Sequence, residues 1–326
     1  MPNMFPSKES AVHCNRRIAA SVALCLLSSV AIAQDKPVQY RWPTGKTQKM
    51  ALTAKLNGSL PLMPNTEPVD LEATLRVIYN VAVKSVEPDG RAVIQFTVDS
   101  ADADVVGIPV SIPMEDAHKV LDRVATFAPT GAVLATEPAP PLPFTLSIPG
   151  VDPQRLYALM FPVVFPETPL KVGDAWEYSS ELLGSEGSPA VFRAKVLQMP
   201  TGTKGKAREL RLAEELNMDV DQNLNAQKKP VQNGEPVAMT RKGNIKGAGI
   251  MVFDPEAGTL LRGHLTLQAA ITEKALEETT SGQVSETTSK VKAVLQIQPA
   301  TAEGSKKPAT APRKTSGTAP AGRKSK

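Results

Sequence analysis

Apolar and polar residues alternate with a period of two over much of this chain. From Leu71 to Lys84, Leu71, Ala73, Leu75, Val77, Tyr79, Val81 and Val83 interleave with Glu72, Thr74, Arg76, Ile78, Asn80, Ala82 and Lys84. That period predicts a long strand with one face toward a core. Glu87-Pro88-Asp89-Gly90 supplies a turn, proline early and glycine last. The return strand carries Ala92, Ile94, Phe96 and Val98 on one face and Arg91, Gln95, Thr97 and Asp99 on the other, with Val93 out of phase. A second hairpin has the same form. Ala190, Phe192, Ala194 and Val196 lead to a Gly202–Gly205 loop, and Leu210, Leu212, Leu216, Met218 and Val220 return. A third runs from Leu261 to Ile271 and back through Val291, Ala293, Leu295 and Ile297, with a Thr/Ser-rich tip around Thr279–Gly282. Thirteen residues in one strand span roughly 43 Å, longer than usual. Strands of that length build curved antiparallel sheets, which can wrap a helix, wrap a ligand or pair with a neighbour.

Two short segments follow a helical period instead. Met114 to Thr126 places Ala117, Val120, Leu121 and Val124 on one face, with Glu115 and Asp116 at the favourable positive end of the helix dipole. Asp152-Pro153 reads as an N-cap and first helical position, opening a short helix through Leu156–Met160 that stops before Pro162. The second lies in a proline-dense stretch whose Tyr157, Phe161, Val163, Val164 and Phe165 cluster apolar surface. This cluster reads as a plug at the end of the sheet core or as the lining of a ligand mouth, for which Tyr157, Phe161, Val164 and Phe165 are the candidate residues.

Features repeat between the two halves of the chain. Gly45-Lys46 opens one strand and Gly173-Asp174 another. Phe127-Ala128-Pro129-Thr130-Gly131 is matched by Phe253-Asp254-Pro255-Glu256-Ala257-Gly258, each followed by a strand at Val133-Leu134 or Leu260-Leu261. Matched turns in the same order point to an internal duplication; similar glycine turns arising by chance are the alternative. The fold class that follows is mostly β: long antiparallel strands in curved sheets or half-barrels, two similar halves, and one or two short helices. The segments are 1–33, a signal peptide; 34–136, a first β-rich half; 137–169, a proline-rich connection; 170–300, a second β-rich half; and 301–326, a basic tail.

The signal peptide rests on Arg16-Arg17, the uncharged run Ile18–Val30 and the small-x-small site Ala31-Ile32-Ala33. Its apolar stretch is short for a permanent span, so no transmembrane segment is expected in the mature chain. Export places the protein in the periplasm or outside the cell. Cys14 and Cys25, the only cysteines, leave with the signal, which excludes disulfides and thiolate chemistry. A lipid-modified cysteine normally closes the apolar run, whereas Leu26-Leu27 continue it past Cys25. The net charge of +4 belongs to the ends: the tail holds seven basic residues against Glu303, leaving a net-negative body. Nucleic acid is therefore not an expected partner. The tail, rich in Pro, Ala, Ser, Thr and Lys, is predicted to be disordered, either as a solubilising end or as a contact for an anionic envelope polymer or lipid headgroups.

Catalytic chemistry has little to work with. Glu115, His118 and Asp122 share a helical face and could ligate a metal, but every amphipathic helix has such a polar face. His264, in Arg262-Gly263-His264-Leu265-Thr266, is placed by period two with polar neighbours on an outer face. Gly45-Lys46-Thr47 lacks the earlier glycine and following helix of a phosphate loop. Neither a G-x-S-x-G elbow nor an H-E-x-x-H helix is present in the sequence. Asp254 is expected to cap its own turn. No enzyme activity, cofactor or metal is expected.

Pro169-Leu170-Lys171-Val172-Gly173-Asp174-Ala175-Trp176 and Phe253-Asp254 with Gly258-Thr259-Leu260, in this order, resemble a group of uncharacterised exported bacterial proteins with a domain of unknown function. In the first half Gly45-Lys46 lacks the aspartate and tryptophan, and Ala128 stands in place of the aspartate. The strand-rich body is more distantly similar to the lipoprotein-carrier type of half-barrel. That likeness implies a long sheet wrapped around lipid and no catalytic residues. The expected function is non-catalytic binding of a lipid or other apolar ligand in the cell envelope. The alternative is a structural or interaction protein that contacts partners through its sheet surfaces and tail.

Overall fold

The computed structural model describes residues 36–60, 68–106, 108–138, 153–185, 188–202, 208–224, 231–232, 235–236, 239–275 and 286–300. Residues 1–33, expected to be a signal peptide, the 301–326 tail, Asp152 and the Thr279–Gly282 tip lie outside the described residues. In chain order the strands are β1 (Thr47–Leu60), β2 (Val69–Val86), β3 (Ala92–Val105), β4 (Ile108–Ser111), β5 (Arg123–Phe127), β6 (Val133–Thr136), β7 (Ala175–Ser185), β8 (Ser188–Gln198), β9 (Leu210–Leu224), β10 (Val231–Gln232), β11 (Glu235–Pro236), β12 (Met239–Asp254), β13 (Thr259–Ala275) and β14 (Glu286–Pro299). One α-helix, α1 (Met114–Leu121), precedes β5, and a 3₁₀ helix (Pro153–Met160) joins the halves.

All strands but the β10–β11 hairpin belong to a single antiparallel sheet, ordered β6-β5-β3-β2-β1-β14-β13-β12-β9-β8-β7, with β4 paired to β3. The sheet curls into a nearly closed barrel. First-half and second-half strands meet where β1 pairs with β14, from Met50 opposite Pro299 to Ser59 opposite Lys290. Apart from the short β4 and the β10–β11 hairpin, successive strands are hydrogen-bonded neighbours in both halves, and the Phe127–Gly131 and Phe253–Gly258 turns join β5 to β6 and β12 to β13. Gly45, Gly131, Gly173 and Gly258 all have positive φ, a conformation that side chains rarely adopt.

The alternation read from the sequence sets the inner face. Leu52, Val77, Ile94, Phe96, Phe192, Leu212, Met251, Leu265 and Ile297 are buried inside. Curling a sheet this tightly brings neighbouring backbones close, and glycine permits it. A Cβ on Gly58, Gly243 or Gly249 would lie 2.1–2.2 Å from a carbonyl oxygen of the adjacent strand.

One expected helix is shorter than its period suggested. α1 stops at Leu121, and Val124, expected on its face, lies in β5, which pairs with β3 from Phe96–Arg123 to Ala92–Phe127. The cause is local. Asp122 takes an extended backbone and its carboxylate accepts the Val98 amide at 2.8 Å. The buried Arg123 turns back and donates to the Val120 carbonyl at 2.7 Å and to that of Asp122. These bonds occupy carbonyls that a helix end leaves without partners.

Candidate functional site

The barrel is closed by chain that is not strand. Its two free edges, β6 and β7, are bridged by the 3₁₀ helix and the residues after it. On the β6 side the Tyr157 hydroxyl lies 2.7 Å from Thr136 Oγ1, and the Phe165 amide donates to the Thr130 carbonyl at 2.9 Å. On the β7 side Trp176 Nε1 donates to the Val164 carbonyl at 2.7 Å, and the Tyr178 hydroxyl lies 3.0 Å from the Pro162 carbonyl. Residues 157–165 thus form a seam between the edges. Proline at 162 and 166 keeps the segment out of either ladder.

Around the seam the aromatic side chains assemble at one end of the barrel. Tyr40 stacks on Trp42 at 5.3 Å and meets Phe161, Phe165 and Phe253 at 5.1–5.6 Å. Phe161 contacts Trp42 at 4.9 Å and Phe127 at 5.1 Å, and Tyr157 meets Phe96 at 5.1 Å. Residues 38–42 are threaded under this end: the Tyr40 amide donates to the Pro129 carbonyl and the Arg41 amide to that of Gly258, tying both matched turns to one segment. Of the four candidate ligand residues, Tyr157 and Phe165 are buried and Phe161 and Val164 half-buried. The structure brings all four into the seam, and their described partners include the sheet and Tyr40 and Trp42 of the 38–42 segment.

Beneath the seam lies a carboxyl group absent from the sequence-based candidates. Glu214 is 1% exposed, on β9 between Ala194 of β8 and Gly249 of β12. Its Oε1 is 2.6 Å from the Tyr178 hydroxyl, and its Oε2 has no partner. Burial pushes its pKa from 4.5 to about 7, against the lowering effect of the Tyr178 hydrogen bond. Burial, and next the nearby Glu214 charge, also hold the Tyr178 and Tyr40 hydroxyls well above their ordinary range. Sequence carries the signal: Glu214 falls in phase with Leu210, Leu212, Leu216 and Met218, a charged residue on the apolar side of its strand.

Away from the aromatic end, the inner face becomes aliphatic and then polar. Register places Leu216, Gly247, Leu267, Ala293, Leu56 and Ala73 in one row across the sheet. On the β9–β12–β13–β14 side this surface is buried. On the β1–β3 side the inward residues Leu56, Leu71, Ala73, Leu75, Ala103 and Val105 are only half-buried. At the far end Gln222, Arg241 and Glu273 follow one another across β9, β12 and β13, with Arg241 paired to Glu273 at 2.6 Å.

The remaining candidates stand apart. His118 Nδ1 contacts Asp122 Oδ2 at 3.0 Å and Glu115 pairs with Lys119, leaving the three out of ligating arrangement. Among the described residues no group of three His, Asp or Glu is placed to hold a metal ion. His264 is exposed on the outer face, on the wall of an open groove with Ile250, Arg262 and Gln296. Asp254 caps its turn, accepting the Glu256 and Ala257 amides at 3.0 and 2.9 Å. Among the described residues no helix is long and apolar enough to cross a membrane. No protein-family model matches the chain, and no curated protein matches it in sequence.

Proposed function

We propose that this chain is an exported, non-catalytic envelope protein that binds a lipid or other apolar ligand within its curled sheet. The observation that carries the reading is the uneven burial of the inner face. Leu56, Leu71, Ala73, Leu75, Ala103 and Val105 point inward from β1–β3 yet keep contact with solvent, while the opposite wall is covered. Apolar surface turned inward and left half-covered is surface that an acyl chain would shield from water, at about 25 cal/mol per Å². The gradient along the axis suits an amphipath: a largely aromatic floor, with Tyr157, Phe161 and Phe165 beside Val164, behind the aliphatic wall, and polar side chains at the far end. Native mass spectrometry of protein purified from its own envelope, followed by organic extraction, tests the reading. A co-purified lipid-sized mass, lost in Leu75→Lys, is expected. A ligand-free mass together with no uptake of a fluorescent fatty acid would overturn it.

A further inference from the structure

The Tyr178 hydroxyl has one proton and two acceptors. Glu214 Oε1 lies 2.6 Å away, and the Pro162 carbonyl of the seam 3.0 Å away. Both can be satisfied in only one way. A neutral Glu214 donates to Tyr178 Oη, and Tyr178 donates onward to Pro162. When Glu214 ionises it becomes an acceptor only. It then draws the Tyr178 proton to itself, and the Pro162 carbonyl loses its donor. We infer that Glu214 and Tyr178 form a proton-controlled clasp on the 161–165 seam, fastened when Glu214 is neutral and released when it is ionised.

The ionised state meets no cation among the described residues, and the nearby Tyr40 hydroxyl has no hydrogen-bond partner of its own. Tyr178 comes from β7 and Tyr40 from the threaded N-terminal segment. The flanking strands present Ala194 and Gly249, and the seam reaches Tyr178 through the Pro162 carbonyl. An ionised carboxylate here has one oxygen without any partner, and a buried charge in that position draws in water or moves to it. The seam and the threaded 38–42 segment are the neighbours outside the sheet ladder, and the seam is the one whose carbonyl Tyr178 holds. Titration centred at about 7 places the release within the range an envelope compartment spans. This regulation rests on the container reading only in what an opened seam would admit; the clasp itself needs no ligand.

The test therefore uses ligand-free mature protein. The Phe165 amide, bonded across the seam to Thr130, is the reporter, read by hydrogen exchange at pH 5.5 and 8.5 after correction for intrinsic exchange. The two tryptophans of the chain flank the seam, so Trp176 emission in a Trp42→Phe background gives a second reading. The expected result is at least tenfold faster Phe165 exchange at the higher pH, with core β12–β13 amides unchanged. Glu214→Gln, which stays neutral, is expected to abolish the difference. Tyr178→Phe is expected to open the seam at both pH values, and it decides the matter if Glu214→Gln does not fold. Equal Phe165 protection at both pH values in the wild type, or the same pH response in Tyr178→Phe, would overturn the clasp. Lipid uptake is measured separately, so a working clasp without uptake refutes the container reading alone.

Discussion

Replacing Glu214 with glutamine is expected to remove a large pH dependence from global stability. The folded carboxyl titrates at about 7 against 4.5 in the ordinary state, a gap of about 2.5. At 1.36 kcal/mol per unit this amounts to about 3 kcal/mol. The sign follows from which state holds the proton. Between 4.5 and 7 the unfolded chain has released it while the folded chain keeps it, so stability falls as pH rises. The favourable contribution is complete below 4.5 and gone above 7. At 1% exposure the group is too deep for solvent to screen this away. Urea unfolding of wild type and Glu214→Gln at half-unit steps from pH 4.5 to 8.5 is the assay. Acidic groups held below their ordinary values, such as Asp99 beside Lys49 and Glu209 between Arg211 and Arg262, titrate in both proteins and cancel in the difference. That difference is expected to shift by about 3 kcal/mol in favour of the variant across the range. A difference independent of pH would refute the reasoning, because a fixed offset reports only packing of the amide.

The positive-φ glycines separate backbone strain from crowding. Gly173→Ala meets open space and is expected to cost about 1 kcal/mol by urea unfolding, whereas a Cβ on Gly258 lies 2.4 Å from Arg41 Cγ and Gly258→Ala is expected to cost at least twice as much. Arg123→Met keeps the apolar bulk but strips the end of α1 of its donor, and a loss of about 2 kcal/mol is expected; an unchanged urea midpoint would show that water replaces the guanidinium. Trp176→Phe removes the bond to the Val164 carbonyl, with about 1 kcal/mol lost locally and seen as faster Phe165 exchange at every pH.

The strands were legible because one side of each faces the core and one faces water, so period two survives in the residues themselves. Leu71–Lys84 and Ala92–Val98 fall within β2 and β3, and the helix ending before Pro162 is the 3₁₀ helix ending at Met160. The helical period over 114–126 failed after Leu121 because a tertiary bond, Val98 to Asp122, outweighs local pattern. The seam was half legible. Its aromatic residues announced a cluster, but the two edges they join come from Thr136 and Trp176, far apart in sequence. Glu214 was visible as a phase violation on β9, yet only the curl of the sheet brings Tyr178 and Pro162 to it. Whether Leu56 and Leu75 are covered depends on what stands opposite them, which no alternation records.

The β1–β14 pairing has a consequence for how this molecule comes into being. Met50 and Pro299 are neighbours across a ladder although nearly the whole body separates them in sequence. Such closure is among the slowest contacts for a chain to find. Until Glu286–Pro299 is available, β1 and β13 each present a bare edge, open to pairing with another copy or with a chaperone. A chain emerging N-terminus first leaves the β1 edge bare for almost its entire synthesis. Its last described strand is what turns two sticky meanders into one sheet.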